Sequence, residues 1–173
     1  KIQNGINVEF MKTQHLVPVV AHEFARVANE FPMSFVKNNE SGTFQAVAMF
    51  GLEPGENLFV EDGKWTAAFA PMASTRYPLG LVKHPEQDQY GIVIDEASSL
   101  VGEEEGNALF ENGEETDYLK RRKESLVSFI EFSQVTEAFT KYLADKELLV
   151  AQTLTVDIKG EKKDINGIYL IDE

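Results

Sequence analysis

Apolar positions recur along this chain with two different periods, and each period predicts a different kind of element. From about Val19 to Phe31, the residues Val20, Phe24, Val27 and Phe31 fall at spacings of four, three and four. That gathers them on one face of a short helix, with Pro18 before it and Pro32 ending it. Met33 to Lys37 and Gln45 to Phe50 read as strands. The turn-forming Asn38-Asn39-Glu40-Ser41-Gly42 between them makes a hairpin. Leu58-Phe59-Val60, Asp62-Gly63 and Trp65 read as a second hairpin. Pro71 to Tyr77 suits one or two helical turns. Leu79 to Val82 and Tyr90 to Asp95 make a strand pair joined through His84-Pro85-Glu86-Gln87-Asp88.

From Asp95 to Thr116 the pattern breaks down into acids, glycines and two apolar islands, which suits an irregular surface loop. The longest regular element should run from about Asp117 to Lys146, capped by Thr116 or Asp117. It carries two apolar stripes. Leu119, Leu126, Phe129 and Ile130 form one. Phe132, Val135, Phe139, Tyr142 and Leu143 form another, rotated against the first, so a kink near Ser133 or two abutting helices are expected. Glu137 and Lys141 are placed to pair along it. Leu154, Val156 and Ile158 then alternate with polar residues, Gly160-Glu161 turns, and Ile165 to Ile171 returns as a last hairpin. Hairpins outnumber strand–helix–strand units. The expected fold is a single α+β domain with a mostly antiparallel sheet, a short N-terminal helix and a long, kinked C-terminal helical element.

Composition narrows the function classes. With 173 residues, 43% of them hydrophobic, there is material for one core. The 29 acids outweigh 16 bases, a net charge of −13 that opposes nucleic-acid backbones and anionic membrane surfaces. There is no cysteine, which removes disulfides, thiol nucleophiles and Cys-bound metal. No apolar run reaches the roughly 20 residues of a membrane span, so membrane insertion is not expected.

His22-Glu23-Phe24-Ala25-Arg26 comes near the zinc-protease helix, but Arg26 stands where the second histidine must be. No metal and no cofactor is expected. Lys120-Arg121-Arg122-Lys123 would wrap around a helix axis and has acids on both sides, so it reads as a solvated helix face. Glu103-Glu104-Glu105 lacks the alternation and glycine pivot of a calcium loop. No phosphate-binding glycine loop or nucleophile elbow occurs.

What remains are polar residues beside strands. Glu56 and Asn57 follow the Pro54-Gly55 turn, Trp65 follows them, Arg76 and Tyr77 precede Pro78, and Asp95 and Glu96 end an apolar strand. These seven are the candidate ligand-binding residues. Two carboxylates can do acid–base work and an arginine can clamp an anion. Equally, Glu56 and Asn57 can satisfy loop amides, while Arg76 pairs with Asp95 or Glu96.

The ten-residue block Gly51-Leu52-Glu53-Pro54-Gly55-Glu56-Asn57-Leu58-Phe59-Val60, with Trp65, Arg76-Tyr77-Pro78, Ile94-Asp95-Glu96 and Leu109-Phe110 with Gly113, resembles the SapC-like family of bacterial proteins. The likeness runs along most of the chain, from Val17-Pro18 and the helix ending Glu30-Phe31-Pro32 to Ile165-Asn166-Gly167-Ile168-Tyr169, and residues 1–173 are expected to form one SapC-like domain. It implies that a further helical segment of the full-length protein follows. The family takes its name from a surface-layer locus. The resemblance therefore implies a non-enzymatic accessory or binding role in surface-layer export or assembly, with a protein or peptide partner. It brings no established catalytic residues. The alternative is an enzyme with an acidic pocket around Glu56, Arg76 and Asp95. A cytoplasmic location is expected.

Overall fold

The strand segments pair antiparallel, in one five-stranded sheet and three separate hairpins. In this computed structural model, residues 1–84, 89–158 and 160–172 are described. Residues 85–88 of the connection expected over 84–88, and residues 159 and 173, lie outside them. Along the chain the elements are α1 (Val8–Met11), β1 (Leu16–Pro18), a 3-10 turn (Ala21–Glu23), α2 (Phe24–Val27), β2 (Met33–Lys37) and β3 (Phe44–Met49). Then follow β4 (Val60–Glu61), β5 (Lys64–Trp65), α3 (Met72–Thr75), β6 (Leu79–Lys83) and β7 (Tyr90–Ile94). The last are β8 (Phe110–Glu111), β9 (Glu114–Glu115), α4 (Asp117–Asp145), β10 (Leu149–Ile158) and β11 (Glu161–Ile171). The main sheet has the order β1-β3-β2-β11-β10, and β4-β5, β6-β7 and β8-β9 are separate hairpins. The fold is α+β, as the two hydrophobic periods predict.

The main core lies against this sheet. Val17, Val19, Val27, Phe31, Phe35, Ala46, Ala48, Phe50 and Leu143 are buried in it. Phe31, Phe50, Phe59 and Trp65 form an aromatic cluster, with Phe31 centred 4.7 Å from Phe59 and 4.8 Å from Phe50. A smaller core joins Ile2, Leu79 and Leu126, with Leu81, Ile94, Leu100, Val101 and Leu109 around them.

Several expectations are corrected. The helix expected over residues 19–31 is only a 3-10 turn followed by a four-residue α2. Val20 is extended at φ −98°, ψ 149°, and the Val19 N–H donates to the Ala46 carbonyl at 3.0 Å. The ladder of β1 on β3 thus runs on past Pro18 and delays the helix. The stretch from Asp95 to Thr116 contains the β8–β9 hairpin, turned by Asn112 and Gly113 at φ 52° and 84°. Its two-residue strands are too short to show alternation.

Helix α4 is one element of 29 residues, not two abutting helices. Its two stripes face two partners. Leu119 is buried toward the N-terminal half, where Leu126 enters the smaller core, and Leu143 enters the main core. Between them the buried positions are Thr136 and Thr140, while Val135, Phe139 and Tyr142 are exposed. At Val135, Phe139 and Tyr142 the expected second stripe is thus one residue, about 100°, out of phase, whereas its Leu143 is buried as expected. Thr136 wins the inward position because its hydroxyl accepts from the Ala21 N–H at 2.8 Å and donates to the Phe132 carbonyl at 2.6 Å. Lys141 pairs with Asp145 at 2.6 Å rather than with Glu137.

Candidate functional site

The Pro54-Gly55 loop is built from its own polar residues. Gly55 has φ +89°, as a Pro-Gly turn requires. Gly51 leaves no room for a side chain, since a Cβ there would lie 2.5 Å from the Glu56 carbonyl oxygen. The Glu56 carboxylate accepts from the Leu52 N–H at 2.8 Å and closes the loop. Asn57 is buried. Its Nδ2 donates to the Met11 carbonyl at 2.8 Å and its Oδ1 accepts from the Phe59 N–H at 2.9 Å. Trp65 donates from Nε1 to the Phe69 carbonyl at 3.1 Å, with its ring in the aromatic cluster. The polar groups of Glu56, Asn57 and Trp65 are thus engaged in holding loop, helix α1 and core together.

Tyr77 and Asp95 form a second group. The Tyr77 hydroxyl donates to Asp95 Oδ2 at 2.7 Å, and its ring stacks on Phe10 at 4.3 Å. That hydrogen bond, ahead of burial, raises the Tyr77 pKa. Asp95 Oδ1 accepts from the Ala97 N–H at 3.1 Å, and Glu96 is exposed beside it. No hydrogen bond or ring contact links this group directly to Glu56, Asn57 or Trp65 among the described residues, although Phe10 and Met11 of α1 touch one group each.

Arg76 corrects an expectation. Among the described residues it forms no ion pair with Asp95, Glu96 or any other acid. Instead its guanidinium lies over the Phe129 ring, 4.5 Å from the centroid, and its Nε donates to the Ala73 carbonyl at 3.4 Å. Asp95 is taken by the neighbouring Tyr77. Burial lowers the Arg76 pKa, although an arginine remains charged at neutral pH.

Arg76 and Phe129 stand at one end of a groove of about 970 Å³. One wall is α4, from Phe129 through Ser133, Thr136 and Thr140 to Asp145. The other is the rim of the sheet, from Pro18 to Val20 and from Thr43 to Ala46. Along α4 this is about 24 Å at the usual helical rise, the length of roughly seven residues of extended chain. The strand edge in that wall is open. Ala46 turns its carbonyl to Val19, so by strand alternation Phe44 turns its backbone to the same side. Past Val19 the chain leaves β3, and no hydrogen bond meets Phe44 there among the described residues.

A family model described as SapC matches residues 1–173. The chain belongs to the SapC family. No curated protein and no solved structure matches it. Arg76 is the one family-block residue among the seven candidates that lines the groove of this SapC-family chain. The rest of the groove went unread in the sequence. Its signal is the set of hydroxyls Ser133, Thr136 and Thr140, three and four residues apart, which interrupts the apolar stripe of α4. Among the described residues no cluster of three metal-ligating side chains occurs, and no helix is long and apolar enough to cross a membrane.

Proposed function

We propose that this SapC-family chain is a non-enzymatic binding protein whose groove between α4 and β3 receives an extended segment of a protein or peptide partner. The observation that carries this is the open backbone edge at Phe44 inside a groove long enough for about seven extended residues. An added strand gains main-chain hydrogen bonds from such an edge, and the groove walls select its side chains. The acids that an enzymatic pocket would need are scattered: Glu56 closes its own loop, and Asp95 is bonded to Tyr77. A role in surface-layer export or assembly, and a cytoplasmic location, belong to the same proposal through the family.

The test is selection of a displayed random heptapeptide library on the purified chain, followed by titration of the selected peptides. Ser133→Trp, which fills the groove, is expected to weaken them at least tenfold with an unchanged melting temperature. Selected peptides that bind this variant as tightly as the parent, or no peptide below about 100 µM, would overturn the reading.

A further inference from the structure

We infer that Arg76 is the terminal-carboxylate site of this groove, so that the bound segment is a free peptide C-terminus; this rests on the groove reading above. Three observations converge on it. First, the guanidinium is held in place before any ligand arrives, face down on Phe129 and tethered through Nε to the Ala73 carbonyl. Its two amino groups have no hydrogen-bond acceptor among the described residues, and neither is fully buried. A planar fork with both outer nitrogens available is the geometry that takes a carboxylate by two parallel hydrogen bonds.

Second, no acid forms an ion pair with Arg76 or with its neighbour Arg122 among the described residues. Arg122 brings another guanidinium to the same turn, donating to the Thr75 carbonyl at 3.1 Å and the Arg76 carbonyl at 2.7 Å. Its Nε and the nearby Ser74 hydroxyl are buried with no partner. Two guanidinium groups and unused donors thus gather at one helical turn in a chain of net charge −13.

Third, positive charge marks one end of the groove. Arg76 stands at the Phe129 end, Glu137 lies midway along α4, and the far end carries the mutually neutralising Lys141–Asp145 pair. A peptide lying along the groove therefore sets its C-terminus at Arg76 and its N-terminal side toward Lys141–Asp145. The overall negative charge disfavours a ligand rich in acids, so one carboxylate at the end of the ligand fits better than an acidic tract.

Heptapeptides selected as above are synthesised as free acids, as C-terminal amides, and with internal Asp and Glu replaced by Asn and Gln. On the unmodified chain amidation is expected to weaken binding at least tenfold, and internal neutralisation to change it less than threefold. Arg76→Gln should bind free acid and amide equally, both at the level of the amide on the parent, and Arg76→Lys should restore part of the difference. Thermal melts of both variants separate loss of the site from loss of the fold. Amides that bind as well as acids, or dependence on an internal acid alone, overturn the carboxylate assignment while leaving the groove reading intact. Binding that ignores Ser133→Trp, or no selected peptide, overturns both.

Discussion

Glu23 shows how much one side chain can connect. It is buried at 6% exposure, and its two oxygens accept from the Val20 N–H at 3.3 Å and the Met72 N–H at 3.0 Å. It thereby ties the start of the 3-10 turn to the start of α3. Burial raises its pKa above the usual carboxyl value, while these two hydrogen bonds work the other way. A raised folded-state pKa means that the folded chain holds the proton more tightly than the unfolded chain. Stability from this group is therefore greatest below the ordinary carboxyl range and falls as pH rises through the raised value. Glu23→Gln should remove that slope. In urea melts from about pH 4 to 7, the stability of the parent minus that of the variant should fall with rising pH. A constant or rising difference would contradict the burial argument. At this scale the sequence was readable where a backbone demand singles out a residue, as Gly55 does with its positive φ. It was unreadable for Arg76, because a charge among apolar neighbours accepts an aromatic face as well as an acid, and only packing decides between them.

Elements were legible where the periodic run was long. Strands β2, β3, β6 and β7 and helix α4 lie within a residue or two of their expected bounds, because each carries a sustained apolar run bounded by turn-forming or polar residues. The short pieces α1, β1 and β8–β9 had no such run to show. The phase of the second stripe on α4 failed for a related reason: a threonine whose hydroxyl is satisfied can displace a larger apolar residue from the inward position, and hydrophobicity alone does not register that. The start of α4 offers a direct test. Thr116 caps it by accepting from the Leu119 N–H at 3.2 Å, and its hydroxyl also donates to the Ala108 carbonyl at 2.7 Å. Thr116→Ala should cost about 1 to 2 kcal/mol in a urea melt, and Thr116→Ser much less. Equal losses for both variants would mean that the methyl group, not the hydroxyl, does the work.

For the molecule as a whole, charge decides what can approach. Three of the four bases in the run on α4 are engaged: Lys123 reaches Glu115 at 2.7 Å, Lys120 reaches Asp117 at 3.3 Å, and Arg122 rests on the carbonyls at the end of α3. Duplex DNA and RNA are expected to show no binding tighter than micromolar in a gel shift at about 150 mM salt, where even non-specific binders usually reach roughly 10⁻⁴ to 10⁻⁶ M. A tight, steeply salt-dependent shift would move the search for function to nucleic acid.

The strand order also says something about how the chain is made. In the sheet β1-β3-β2-β11-β10, the neighbour of β2 on one side is β11, which registers Tyr169 on Phe35 and Ile168 on Val36. A ribosome delivers β2 more than a hundred residues before β11. Throughout that interval β2 offers an unpaired edge to any other strand nearby, a hazard that shorter-range pairings such as β2 with β3 do not relieve. A chain stopped at Lys146 should therefore partition into the insoluble fraction on expression. Supplying β10 and β11 as a separate co-expressed segment should recover part of it in soluble form. If the shortened chain stays soluble and folded alone, the late strands are a covering of the sheet rather than its completion.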